Sequence, residues 1–233
     1  MQYEITSATW ISPGGHPLTI FYRRDTNDWN TVSATLTHDE YALPRGLSGH
    51  AVDIGGYLGT VGIALAADNP DLRVTIIEPV PPNAALIRRN IEANGLKERV
   101  TLIEGAASGD HKPVTISFGY RGSESLEHHA FVGNSTLAYD GPGEYEHDEI
   151  TYTPVTLADL VKGGPIDWLK IDTEGAEWSF LTGPVSKVRE IVGEWHPVRG
   201  KTLGDMAALL GETHVVTFDG PQSGPGGFRA VLR

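Results

Sequence analysis

Acidic side chains crowd the ends of the apolar runs in this chain. Asp53 closes His50-Ala51-Val52 and leads into Ile54-Gly55-Gly56-Tyr57-Leu58-Gly59. Glu78 closes Leu72–Ile77 ahead of Pro79, and Glu104 closes Val100–Ile103 ahead of Gly105 and Ala106. Asp172, Glu174 and Glu177 follow Ile166–Ile171, and Glu194 and His196 follow Val188–Gly193. A carboxylate can hold two vicinal hydroxyls, and a histidine titrates close to neutrality. Carboxylates at the C-terminal edge of strands sit where doubly wound folds place their chemistry.

The order strand, glycine-rich turn, helix around residues 50–67 is how a βαβ unit presents backbone N–H groups to a ligand. Its spacing is D-x-G-x-x-x-G, with Tyr57 where G-x-G-x-x-G would carry its second glycine. Glu78 lies 19 residues past Gly59, near the distance of about 20 at which a ribose-binding acid is found. A solvated strand-end carboxylate is the plainer alternative. Small residues at Gly105-Ala106-Ala107 would let a flat ring lie against the backbone.

The elements that must position these groups alternate strand and helix from Ala51 onward. Helices are expected at Gly59–Ala67 and at Asn83–Asn94, where Ala84, Ile87 and Ile91 share a face and Asn94-Gly95 supplies the stop. Short helices are expected at Thr156–Val161 and Met206–Leu210, and another before Leu181. Ile166–Ile171 and Val188–Glu194 read as the fourth and fifth strands, with Glu194 and His196 on one face by the period of two. His214–Phe218 and Phe228–Leu232 read as a closing antiparallel pair. Val114–Phe118 reads as an edge strand. Residues 119–151 form one long polar stretch, expected to be a functional or disordered loop.

Residues 1–48 are too few for a core and should pack as a cap, with a strand at Leu18–Arg23, a short helix at Thr31–Thr37 and a linker at Pro44–Gly49. The main domain is then 49–233.

Composition narrows the field. The formal net charge is −12, with no Lys/Arg cluster, which argues against binding nucleic acid by phosphate neutralisation. There is no cysteine, so disulfides, thiolate zinc sites and a thiol nucleophile drop out. No apolar run reaches the length of about 18 residues that a membrane helix needs. A cytoplasmic protein with a small-molecule partner and no membrane association is the expectation, with a homo-oligomer left open. His128-His129 are adjacent, and adjacent histidines rarely ligate one ion, so no metal site is expected. Asn134-Ser135-Thr136 matches a glycosylation acceptor but reads as a polar loop.

Val52-Asp53-Ile54-Gly55-Gly56, Glu78-Pro79, the helix around Asn90 with Asn94-Gly95, Val155-Thr156-Leu157 and above all Leu169-Lys170-Ile171-Asp172-Thr173-Glu174-Gly175-Ala176-Glu177 resemble the FkbM-type family of S-adenosylmethionine-dependent methyltransferases. The resemblance runs over roughly residues 50–196, and Gly56 stands where many members carry Ala. It implies a Rossmann-like α/β fold whose seven-stranded, mostly parallel sheet has order 3-2-1-4-5-7-6. It also implies methyl transfer, usually to an oxygen of a sugar, polyketide or other natural product. Glu78, with Pro79 beside it, would hold the cofactor ribose. Asp53 and the turn of Gly55, Gly56, Tyr57 and Gly59 would hold the methionine end. Glu104, Gly105 and Ala106 would border the adenine. Asp172, Glu174 and His196 are the expected catalytic set. His196 is ranked first as the base that takes the acceptor's proton, against a strand-end histidine bonded to a carbonyl. Asp172 would take that proton instead, orient the acceptor, hold the cofactor amine, or ligate a divalent ion with Glu174. The competing readings are an NAD-dependent oxidoreductase and a nucleotide-binding module without turnover. The glycine spacing disfavours the first, and acids at three strand ends argue against the second.

Overall fold

Aliphatic and β-branched runs form the central sheet. β3 (Gly49–Ile54), β4 (Leu72–Glu78), β5 (Val100–Glu104), β9 (Trp168–Ile171) and β10 (Glu190–Trp195) run parallel, and β11 (His214–Asp219) and β12 (Gly226–Leu232) close the sheet as an antiparallel pair. The spatial order is β5-β4-β3-β9-β10-β12-β11, which is the expected 3-2-1-4-5-7-6 arrangement. The computed structural model describes residues 4–120, 131–133, 147–198, 200–220 and 226–233.

Parallel strands buried on both faces need apolar side chains on both, and these supply them. On one face Ala51, Val74 and Ile76 pack on α2 (Thr60–Asp68) and α3 (Pro81–Ala93) through Ile63, Ala64, Ile87 and Ile91. On the other, Val52, Ile54, Leu169, Ile171 and Ile191 pack with Leu157, Phe180, Met206 and Leu210. Those residues come from α4 (Leu157–Leu160), α5 (Glu177–Phe180) and α6 (Leu203–Gly211). Thr156 and Thr202 start α4 and α6 with capping boxes closed by Asp159 and Asp205.

The chain ahead of β3 shares the first of these cores. β1 (Ile5–Ile11) and β2 (Pro17–Arg23) form a hairpin, followed by α1 (Asp28–Leu36). Leu18, Ile20, Val32 and Leu36 belong to the same buried cluster as Ile63 and Ile87. The sequence signals only part of this. β1 carries Thr6, Ser7 and Thr9 between exposed Ile5 and Ile11, so no apolar alternation marks it. α1 starts three residues before the expected helix, at a buried Asp28.

The expected edge strand is displaced. β6 (Val114–Tyr120) pairs with β7 (Phe131–Gly133) and β8 (His147–Tyr152) in a separate three-stranded sheet. Residues 119–151 are therefore not one loop, since two strands fall within them. His128-His129 and Asn134-Ser135-Thr136 lie outside the described residues. Ile116 and Phe118 pack on Val80 and Ala106, and the Tyr152 hydroxyl donates to the Pro79 carbonyl at 2.7 Å. The small sheet thus sits against the C-terminal ends of β4 and β5.

Candidate active site

The turn after β3 is held from below. Gly55 takes φ +76°, and a Cβ there would overlap the Asp172 carbonyl, so only glycine lets β3 and β9 approach this closely. A Cβ on Gly56 would run into Ile76. Gly59, also left-handed, caps the N-terminus of α2. The backbone N–H groups of Gly55 and Gly56 both donate to the Ile77 carbonyl.

Lys170 ties this turn to the acids around it. Its ammonium donates to the Gly55 carbonyl at 2.8 Å and lies 3.5 Å from Asp53 and 3.9 Å from Asp172. Burial would depress Lys170, but Asp53, Asp172, Glu40 and Glu78 outweigh it and raise its pKa. A charge in the middle of an otherwise apolar strand is the sequence signal for Lys170.

Asp53 corrects an expectation. Its side chain is fully buried, accepting the Gly62 N–H at 3.1 Å and pairing with Lys170. It does not reach the cleft, because the start of α2 and the lysine enclose it. Burial raises its pKa, opposed chiefly by Lys170.

The cleft lies above the turn. Gly55, Gly56, Tyr57, Glu78 and Pro79 line one side, and Gly105, Ala106, Ala107 and Ile116 line another. Asp172, Glu174, Glu194 and Tyr41 line the third, and α1 residues such as Asn30 and Thr31 close the fourth; the space is about 500 Å³. Glu104 is a second correction. It turns outward to pair with Arg88, so only Gly105 and Ala106 of the expected adenine border face inward. Gly59 also stays out of the lining, packed against Ile63, Ile76 and Ile87.

Glu78 is buried at the end of β4. One oxygen accepts from the Tyr57 N–H at 2.8 Å; the other accepts from the Val80 N–H at 3.0 Å and from Asn83 at 3.2 Å. Three of the roughly four lone-pair sites of a carboxylate are thus used. One acceptor position remains for a ligand hydroxyl, rather than the symmetric pair expected. Burial pushes its pKa up to about 7 against those hydrogen bonds.

At the ends of β9 and β10 the structure brings Asp172, Glu174 and His196 together. Tyr41 donates to Asp172 at 3.3 Å. His196 Nε2 lies 3.3 Å from Glu174 and 3.9 Å from Glu194. Asp172, Glu194 and His196 each place one ligand-type atom within 4.8 Å of the others, though no ion is required by this arrangement. Burial raises both Glu174 and Glu194. His196 itself stands behind Glu174 and Glu194 and does not line the cleft.

Glu177, which the sequence left without a role, organises this end. It is fully buried and accepts from His196 Nδ1 at 3.1 Å, the His196 N–H at 2.8 Å, the Gly175 N–H at 2.9 Å and Thr173 at 3.0 Å. Burial would depress His196, but the Glu177 hydrogen bond and the charges of Glu177, Glu174 and Asp172 push it up to about 9. Burial would raise Glu177, but His196 outweighs it and lowers the carboxyl. The two form a buried ion pair. Glu174 and Tyr57 both hold left-handed backbone at φ 54° and 52°, the kind of local strain that gathers at functional sites.

The family model for the FkbM methyltransferase domain matches residues 53–215, well over half of the 233. The chain belongs to the FkbM methyltransferase family. An O-methyltransferase of Aspergillus flavus, imqG, is 38% identical over 79 residues, covering 33% of this chain and 32% of the relative. The ribosomal RNA small subunit methyltransferase G of Frankia alni is 39% identical over 65 residues, 28% of this chain and 24% of that one. This FkbM-family chain thus spans a third or less of the length of the curated relatives it matches. Among solved structures, TrmK of M. capricolum, in complex with S-adenosyl-homocysteine, matches at a TM-score of 0.50 and 10% identity, over 84% of this chain and 68% of that one. That likeness is one of fold.

Proposed function

We propose that this FkbM-family methyltransferase moves a methyl group from S-adenosylmethionine to a hydroxyl oxygen of a small, uncharged or cationic acceptor. The observation that carries this reading is the row of carboxylates, Asp172, Glu174 and Glu194, facing the cleft beside the glycine turn. The residues fit the cofactor. Glu78 keeps one acceptor position for a ribose hydroxyl. The flat backbone of Gly105 and Ala106 suits adenine. The turn of Gly55 to Tyr57 borders the space for the methionine end, and Lys170 beneath it offers a cation to a carboxylate. Carboxylates outnumber cations around the cleft, which suits a sulfonium and an ammonium and repels a pyrophosphate. The same field, with a net charge of −12, opposes a nucleic-acid acceptor.

When bound, S-adenosylmethionine supplies a methyl carbon made electrophilic by its sulfonium. The chain's own task is to hold the acceptor oxygen in line with that carbon and to take its proton. Asp172 is placed for this, lining the cleft beside the Gly55 turn, with Tyr41 and Lys170 fixing its carboxylate. Asp172, or Glu194 next to it, would accept the hydroxyl proton as the acceptor oxygen takes up the methyl group. His196, pushed up to about 9, carries its proton at neutral pH, so it supports these carboxylates as a cation and is replaced as the leading base. A ring already bonded through Nδ1 and charged also competes with a metal ion, which needs a free nitrogen lone pair.

S-adenosylhomocysteine should raise the melting temperature of the protein, since a ligand specific to the folded state stabilises it, while NAD should not. Tight NAD binding with none for S-adenosylhomocysteine would overturn the cofactor assignment. Chelator should leave turnover unchanged; activity lost in chelator and restored by magnesium would assign Asp172, Glu194 and His196 to an ion instead.

Glu78→Ala should weaken S-adenosylhomocysteine about 10- to 100-fold, the loss of a hydrogen bond to a charged group. In the parent, affinity should also fall as pH drops below about 7, where Glu78 takes up a proton. A folded Glu78→Ala protein titrating like the parent in calorimetry would remove Glu78 from the site.

A further inference from the structure

The segment ahead of β3 reaches the cleft through a closed ring of hydrogen bonds. Arg23, at the end of β2, donates through Nε and Nη2 to Asp28 at 2.8 and 2.9 Å, and through Nη1 to Asn83 at 2.8 Å. Asn83, in the first turn of α3, donates to Glu78 at 3.2 Å. Glu78 accepts from the Tyr57 N–H at 2.8 Å, and the Tyr57 hydroxyl returns to Asp28 at 2.6 Å. Arg23, Asp28, Asn83 and Glu78 are all at most 4% exposed, and the Arg23 guanidinium lies 5.3 Å from the centre of the Tyr57 ring.

Two features of this ring point beyond packing. A buried ion pair is an inefficient way to stabilise a fold, because apolar residues of the same volume often do as well. And Tyr57 holds a left-handed backbone, φ 52°, which a non-glycine residue keeps only when its surroundings impose it. The ring grips Tyr57 at both ends, by its hydroxyl and by its N–H. It also fills the inner acceptor sites of Glu78 so that the remaining one is aimed by its neighbours.

We propose that Asp28 and Arg23 are positioning residues of the cofactor site: through Tyr57 and Asn83 they fix the glycine turn and the Glu78 carboxylate in the geometry that binds the ribose. The cap is then part of the cofactor site and not only a cover for the core. This rests on the assignment of the cleft to S-adenosylmethionine.

The test is calorimetric titration with S-adenosylhomocysteine and steady-state kinetics on Tyr57→Phe, which removes one oxygen and keeps the ring. Binding should weaken about tenfold, with the KM for S-adenosylmethionine rising by the same factor and kcat within twofold. In an Asp28→Ala background, Tyr57→Phe should cost nothing further, because the acceptor of the hydroxyl is already gone. A role confined to folding would leave affinity in the folded fraction unchanged and show no such coupling. Asn83→Ala opens the ring on its other side and should give a loss of similar size, which keeps the test open if one variant folds poorly. Parent-like affinity in folded Tyr57→Phe and Asn83→Ala would overturn the positioning role and leave the cofactor assignment standing. Failure of the parent itself to bind S-adenosylhomocysteine would overturn that assignment first.

Discussion

Asp172→Asn should lower turnover about 10²–10⁴-fold, the range lost with a general base, while S-adenosylhomocysteine binding stays near the parent value. The substitution keeps the shape and the Tyr41 contact but removes the lone pair that takes the proton. Asp172 sits over the turn, yet Glu78, which keeps an acceptor position for the ribose, comes from the end of β4, so affinity and turnover should separate. The pH profile distinguishes this from the histidine alternative. If a carboxylate is the base, raising the pH through 9 brings no gain, and the rate declines there as His196 loses its charge. If His196 is the base, the rate climbs through that same region, because only the deprotonated ring can accept. A variant with parent-like turnover, or a profile still rising at pH 9, would return the base to His196.

The sheet was readable in the sequence because its strands are buried on both faces and its acids stand at their ends. Val52-Asp53, Ile77-Glu78 and Ile171-Asp172 each mark where a strand leaves the core, and the strand order followed from the family resemblance. What could not be read was the direction in which a strand-end side chain turns. Asp53 and Glu78 look alike in sequence, yet one is enclosed by Gly62 and Lys170 and the other faces the cleft. Glu104 turns out to Arg88, a choice made by a residue on α3 that no local pattern reveals. The roles of Lys170 and Glu177 are hidden for a related reason: their partners, Asp53 and His196, lie far away in the chain or on another element. The cap was least legible. Its hairpin pairs by backbone, with Ser7 and Thr9 exposed between the exposed Ile5 and Ile11, and its links to Glu78 run through hydrogen bonds, which leave no hydrophobic period.

The His196–Glu177 pair should give the fold a pH dependence of its own. Unfolded, His196 would titrate near about 6.5; folded, it is pushed up to about 9. Between those values the folded state holds a proton that the unfolded state has released, so stability falls as pH rises. The contribution is fully present below about pH 6.5 and is lost as pH passes 9, a change of about 3 kcal/mol for a group this well buried. It is counted once, because the pair shares that proton. Glu78 acts in a lower window, costing stability as pH rises from its unfolded value to about 7, and the raised tyrosines act only above pH 10. The region from pH 7 to 9 therefore contains the His196 step, and the comparison with His196→Asn isolates it. For a chain of this length the melting temperature should drop roughly 5–10 °C across it, before any change in ligand. His196→Asn keeps a neutral donor toward Glu177 but cannot hold the charge, so its melting temperature should start lower at pH 7 and stay nearly flat to pH 9. Parallel curves for the two proteins would mean that His196 is not protonated in the fold, and would restore it as a neutral base beside Glu174 and Glu194.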